Sequence, residues 1–158
     1  MEPQLKILQE KKLIGMSMEM SIINNKTAEL WKTFRSRSGE VQNRISEDFI
    51  SLQQYAPNHF DNFNPKNQFV KWACVAVANF ENIPSGMDTL ILTDGLYAVF
   101  HYQGSSADPN IFQYIYGEWI PNSDYNLDNR PHFEVLGPKY KNNDPSSEEE
   151  IWIPIRPK

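Results

Sequence analysis

The sequence predicts an α+β fold, a pseudo-symmetric duplication of a strand-helix-strand-strand unit with mainly antiparallel sheets, helices on one face and a ligand cleft at the seam. Three observations predict it. The same order of strand and helix patterns occurs twice, at about 1–80 and 88–158; the strands alternate apolar and polar residues; and each helix follows a strand. At 158 residues the chain has the length of one domain.

The first half begins with a strand and a helix. Residues 12–21 alternate, with three methionines on one face, which predicts a strand. Asn24, Asn25 and Thr27 then supply N-cap chemistry for a helix that ends near Arg37. The apolar side chains of this helix share one face: Leu30, Trp31 and Phe34.

Two more strands complete the first half. Residues 49–55 are predicted to form a strand that Pro57 ends, and residues 69–77 form the next. The segment 55–68 between them contains two prolines and several Asn and Asp residues, a composition that is typical of a loop.

The second half repeats this order. Residues 96–102 predict a strand that Gly104 closes. Asp108 and Pro109 form a strong helix start, because a cap residue precedes a proline at the first helical position, and the helix is expected to stop at Pro121. The remaining strands are predicted at 132–136 and 150–155.

Composition and charge exclude several function classes. The formal net charge is −5, which disfavours direct nucleic-acid binding because phosphate needs clustered Lys and Arg. The chain lacks an apolar run of about 18 residues and its N-terminus is too polar for a signal peptide, so we expect a cytoplasmic protein that does not enter a membrane. Cys74 has no second cysteine to pair with, and the three histidines lack metal-ligand spacing. We therefore expect no metal and no cofactor.

The two C-terminal strands carry the clearest candidate site. Alternation separates Glu134 from its apolar neighbours in 132–136, and separates Glu150 and Trp152 from the isoleucines in 150–155. If the apolar residues face the helices, these three side chains project together on the opposite surface. A carboxylate among aromatic rings either protonates or binds a cation. The alternative interpretation is a solvated sheet face.

Four further aromatic residues are candidates for the walls of a ligand site or for the core. Trp72 shares a strand face with Cys74 and Ala76, and Trp119 ends the second helix. A lone buried cysteine such as Cys74 behaves as a small hydrophobic residue. The four wall candidates are Trp72, Phe100, Tyr102 and Trp119.

Seven stretches, taken in order, resemble the GyrI-like small-molecule-binding family, which is also the effector-binding domain of AraC-type and multidrug-responsive regulators. They cover nearly the whole chain: ELW (29–31), SLQQY (51–55), KWA (71–73), GLYAVF (95–100), WIPNS (119–123), RPHFE (130–134) and residues 148–154.

The resemblance implies a cavity between two pseudo-symmetric halves, with Glu134 in contact with a cationic aromatic ligand. It also implies that Glu150 and Trp152 on the last strand contribute to the site. The sequence departs from many similar sequences at Ala76, where they carry a Glu, and this weakens the expectation of a strongly cationic ligand.

Three functions follow from the resemblance. The first is stand-alone binding of a small amphipathic or aromatic, cationic compound, with no DNA-binding segment because only about 25 residues, read as strand, precede the first helix. The second is a hydrolase that detoxifies a reactive cyclopropane-bearing molecule, with Glu134 as the catalytic residue. The third is a protein-interaction module whose partner is an enzyme such as DNA gyrase.

Overall fold

The computed structural model describes residues 1–62 and 64–158, which form nine strands and two helical regions. The first helix, α1 (Thr27–Arg37), continues into a 3₁₀ turn (Ser38–Glu40). The second region comprises α2 (Asn110–Tyr114), a π-helical segment (Ile115–Trp119) and a short α3 (Ile120–Asn122). The strands are β1 (Gln4–Leu8), β2 (Lys11–Met20), β3 (Phe49–Gln54), β4 (Phe69–Val77), β5 (Asp88–Leu92), β6 (Gly95–Gln103), β7 (Tyr125–Leu127), β8 (His132–Leu136) and β9 (Glu148–Pro157).

The strand order confirms the predicted duplication. The strands form one antiparallel sheet in the order β1-β6-β9-β8-β3-β4-β2-β5, and β7 pairs with β9. The unit β2-α1-β3-β4 and the unit β6-α2-β8-β9 each place their last strand between the other two. The units meet where β3 pairs with β8, and the pairing is symmetric about Ser51 and Glu134, which lie opposite each other.

Both predicted helices and all six predicted strands are confirmed, with bounds that differ by at most two residues at most ends. Three short strands were not predicted. β1 and β5 occupy the two edges of the sheet, where their side chains are mostly exposed. They form strands by pairing with β6 and β2, so their sequences lack the alternation of buried and exposed residues that predicts a strand. The second helical region extends one residue past Pro121. This proline cannot donate a backbone hydrogen bond to Gly117, and the widened π-helical turn ends two residues before it.

The helices cover one face of the sheet. In the register, Ala73, Ser51, Glu134 and Ile151 lie side by side across β4, β3, β8 and β9, so they share that face. At one end α1 packs Leu30 and Phe34 against β2 and β4, and at the other end α2 and the π-helical segment pack Ile111 and Ile115 against β6 and β9. Each such side chain contributes roughly 1.5–3 kcal/mol by leaving water.

The other face carries a separate apolar cluster with side chains from eight of the strands. A row of large residues crosses its centre: Trp72, Leu52, Phe133 and Trp152. The two edges of the sheet are joined by residues 9–10 and 93–94. A two-residue link spans about 10 Å, so the sheet curls until its edges approach and this face is enclosed. Within the described part of the chain, no helix is long and apolar enough to cross a membrane.

Candidate functional site

A cavity of about 1000 Å³ lies on the helix-covered face, above the pairing of β3 with β8. This volume accommodates a drug-sized molecule. We call it the central cavity, and the residues that line it are Asn25, Thr27, Ala28, Trp31, Lys32, Arg35, Ser51, Lys71, Ser106, Phe112, Glu134, Leu136, Tyr140, Asn142, Asn143 and Glu149.

Helix α1 forms one wall of the central cavity. Ala28, Trp31, Lys32 and Arg35 are spaced by three, four and seven positions, so they share one face of the helix. The Arg35 guanidinium lies over the Phe49 ring, 4.4 Å from its centroid, and 5.7 Å from the centroid of Trp31. These contacts hold a cation and an indole ring beside the cavity.

Phe112 on α2 forms the opposite aromatic wall. It follows the buried Ile111, just as Trp31 follows the buried Leu30, and in both helices the fourth residue after the buried one is also buried. The duplication therefore places one aromatic ring on each side of the cavity. Polar residues of the second half also line the cavity, and two of them are hydrogen-bonded: Ser106 Oγ donates to Asn142 Oδ1 at 3.1 Å.

Glu134 lies on the floor of the central cavity, opposite Ser51. With its amide nitrogen oriented toward the carboxylate, Gln53 donates to Glu134 Oε2 at 3.1 Å. Burial raises the pKa of Glu134, while the positive charge of Lys71 and the Gln53 hydrogen bond oppose that rise. No cation of the described residues lies within ion-pair distance of this carboxylate.

Glu149 supplies a second carboxylate from β9. Burial and the neighbouring charge of Glu134 raise the pKa of Glu149 to about 7, and the charge of Lys71 opposes this. Lys71 lies two residues before Ala73 on β4, and Glu149 lies two residues before Ile151 on β9, so they occupy corresponding places in the two units. The first unit thus has a lysine at the position where the second unit has a glutamate.

An aromatic cluster lies next to Glu134. His132 Nδ1 and Tyr116 Oη form a hydrogen bond of 2.8 Å, and the Phe60 ring stacks on both rings at 5.0 Å from Tyr116 and 5.5 Å from His132. Burial lowers the pKa of His132 to about 3, so this imidazole is neutral. Burial also raises the pKa values of Tyr55 and Tyr116, and the nearby charge of Glu134 contributes to both.

The expectation that Glu134, Glu150 and Trp152 project together is wrong. In the register Glu134 pairs with Ile151, and Phe133 pairs with Trp152, so Glu134 shares its face with the isoleucines. Trp152 lies on the opposite face, stacked on Phe133 at 5.2 Å with its indole N–H donating to Glu150 Oε1 at 3.1 Å. The prediction assumed that the apolar side of both strands faced the helices, whereas both faces of this sheet are apolar.

The other four predicted wall residues also lie outside the central cavity. Trp72 is buried on the opposite face, and its Nε1 donates to Gln54 Oε1 at 2.8 Å. Trp119 of the π-helical segment packs edge to face on Phe100 of β6 at 5.4 Å, and Tyr102 Oη donates to the Ser105 carbonyl at 2.8 Å. These residues take the structural role that the sequence left open.

The sequence prediction missed most of the residues that accompany Glu134. Helical spacing predicts only that Trp31 shares the apolar face of its helix, and no pattern in the sequence assigns a binding role to Phe112, Lys71 or Glu149. The available signal was the repeat itself, because aligning Leu30 with Ile111 brings Trp31 and Phe112 into corresponding positions. Alternation along β9 groups Glu149 with the isoleucines, but the sequence left open whether Glu134 or Phe133 and Val135 share the face of those isoleucines.

Comparison with known proteins identifies the fold family. The profile of the GyrI-like small molecule binding domain matches residues 1–156. The chain belongs to this family. No curated protein sequence matches this GyrI-like chain significantly.

Many solved structures share this fold, among them the following three. The structure of SAV2435 bound to tetraphenylphosphonium has a TM-score of 0.74 and 18% identity, with 99% of this chain and 94% of that chain covered. The EcmrR C-terminal domain has a TM-score of 0.72 and 13% identity, with coverage of 99% and 98%. A hydrolase from Listeria innocua has a TM-score of 0.61 and 9% identity, with coverage of 98% and 92%.

Proposed function

We propose that the central cavity binds a small amphipathic molecule with an aromatic framework and a positively charged group. Glu134 supplies the opposite charge, and Trp31 and Phe112 supply the flat walls. The observation that carries this proposal is a carboxylate on the floor of a ring-walled cavity, with no cation of the described residues within ion-pair distance. SAV2435, which shares this fold, has been solved bound to tetraphenylphosphonium, a cation surrounded by aromatic rings.

The energetics favour a ligand of this kind. An ionised carboxylate that is taken out of water without a partner is costly, and a bound cation removes that cost. A cation over an aromatic face adds roughly 0.5–2 kcal/mol for each ring. Together with the burial of the ligand's own apolar surface, these contributions suffice for micromolar affinity, about −8 kcal/mol.

The test is Glu134→Gln, which keeps the shape of the side chain and removes its charge. We expect tetraphenylphosphonium to bind the variant at least tenfold more weakly than the wild type in isothermal titration calorimetry, because charge-assisted contacts carry roughly 1.5–3 kcal/mol.

Glu150→Gln is the matched control for this measurement, since Glu150 lies on the opposite face of the sheet and its loss is expected to leave the affinity unchanged. Equal affinity of the wild type and Glu134→Gln would refute the proposed role, provided that both unfold at similar temperatures.

A second candidate function is hydrolysis of a reactive cyclopropane-bearing molecule in the same cavity. The observation that favours it is a carboxylate with a raised pKa beside Tyr55 and Tyr116. Glu134 as the catalytic residue would accept a proton from a water molecule that adds to the strained ring, and the proton would pass to the carbon released on ring opening. Mass spectrometry of a cyclopropane probe after incubation tests this, because an unchanged probe rejects catalysis.

A further inference from the structure

The charges around the central cavity are divided between the two units. Every charged residue that the first unit contributes to the lining is basic: Lys32 and Arg35 on α1, and Lys71 on β4. Every charged residue that the second unit contributes is acidic: Glu134 on β8 and Glu149 on β9. The cavity therefore has a positive wall and a negative wall, which face each other across the pairing of β3 with β8.

Neither wall neutralises the other. In the part of the chain that the structure describes, no ion pair of 4 Å or less involves any of these five side chains. Arg35 is occupied only on its flat side, by the rings of Phe49 and Trp31. Five charged groups thus border one cavity without an ion-pair partner among the described residues, and a ligand that enters it can pair with both signs.

We propose that the natural ligand is zwitterionic: an aromatic molecule whose cationic group contacts Glu134 and Glu149 and whose carboxylate or other anionic group contacts Lys32, Arg35 and Lys71. This inference rests on the proposed function, because it concerns the same cavity. It adds a second recognition element and assigns Lys32 and Lys71 as residues that determine specificity.

The charge balance argues against ligands of a single sign. The basic side chains that line the cavity outnumber the acidic ones, and Lys71 weakens the negative field at both carboxylates. A purely cationic ligand supplies no counter-charge to the three basic groups and is repelled by them, most of all by the half-buried Lys71. A purely anionic ligand leaves two half-buried carboxylates without a counter-charge and is repelled by them.

The experiment uses a matched pair of fluorescent probes, a cationic rhodamine ethyl ester and its free acid, which share one aromatic cation and differ by one carboxylate. At about pH 8 we expect the full chain to bind the free acid roughly tenfold more tightly than the ester in fluorescence anisotropy. Lys71→Gln and Lys32→Gln are each expected to reduce this preference severalfold. Lys66→Gln, outside the cavity lining, is the control and is expected to retain the preference.

Each outcome decides a separate point. If both probes bind and the ester binds as well as the acid, the zwitterion proposal is overturned while the proposed function stands. If the preference for the acid survives both lysine substitutions, the assignment of Lys32 and Lys71 is overturned. Tighter binding of fluorescein, an anion without the amine, also overturns the proposal. If none of the probes binds and tetraphenylphosphonium does not bind either, the proposed function itself fails. Lys32 is exposed, so Lys32→Gln is expected to fold and still tests the role of the basic wall if Lys71→Gln unfolds.

Discussion

Glu149 shows how one residue can make the central cavity sensitive to pH. Burial is the largest cause of the raised pKa of Glu149; the charge of Glu134 on β8 raises it further, the charge of Lys71 on β4 lowers it, and Tyr102 lies opposite Glu149 on β6. With a pKa of about 7, Glu149 is mostly neutral below neutrality and mostly ionised above it. Because a bound cation favours the ionised form, ligand binding and proton release from Glu149 are linked.

We therefore expect the affinity for tetraphenylphosphonium to increase by roughly three- to tenfold between about pH 6 and pH 8. In Glu149→Gln this increase is expected to disappear or shrink, since the variant has no proton to lose at that position. Isothermal titration calorimetry at several pH values checks this, with Glu150→Gln as a control that retains the wild-type slope. A wild-type affinity that does not change over this range would contradict the linkage.

At the scale of secondary structure elements, the close approach of β2 to β4 anchors α1. Gly15 lies opposite Cys74 in this pairing, and a Cβ atom at position 15 would collide with the Ala73 carbonyl and with Cys74. Because those atoms belong to the central backbone and to a fully buried side chain, they cannot move aside cheaply. Helix α1 packs on these same two strands, so their spacing sets the position of the α1 wall.

Gly15→Ala is expected to lower the free energy of unfolding by roughly 2–3 kcal/mol, measured by chemical denaturation. Gly117→Ala is the matched control, because a Cβ atom there meets nothing within 4 Å, and it is expected to be neutral or mildly stabilising. An equal loss of stability in both variants would show that the collision at Gly15 is relieved at little cost.

The scale of elements also shows how far sequence alone could predict this site. Alternation and cap signals were enough for the strands, the helices and the duplication, because those signals are local. Glu134 was singled out from strand alternation and from the family resemblance, but alternation placed it on the face away from the helices, and its pairing with Ile151 places it on the helix face. Its companions depend on register: Glu149 and Glu150 are adjacent in sequence, and the pairing of Glu134 with Ile151 places Glu149, not Glu150, on the helix face. Trp31 and Phe112 come together only once both helices lie on one face.

At the scale of the whole molecule, the curled sheet carries an apolar core on one face and the central cavity on the other. The enclosed face holds large aromatic residues such as Trp72, Phe133 and Trp152 in an apolar core, which leaves the helix-covered face free to carry charge. Sequence composition could not distinguish the rings of this core from Trp31 and Phe112, which line the cavity from α1 and α2, because large aromatic residues occur in both sets. The distinction arises from the short links that draw the two edges of the sheet together.

The pairing of Ser51 with Glu134 at the centre of the duplication has a consequence for any molecule that enters. A hydroxyl and a carboxylate occupy corresponding places, so the duplication repeats the backbone of the two units but not their side chains. A compound with two identical ends would find its ends in unlike surroundings, and the complex would lack the symmetry of the free compound. The cavity therefore favours one orientation of a bound molecule over the reverse.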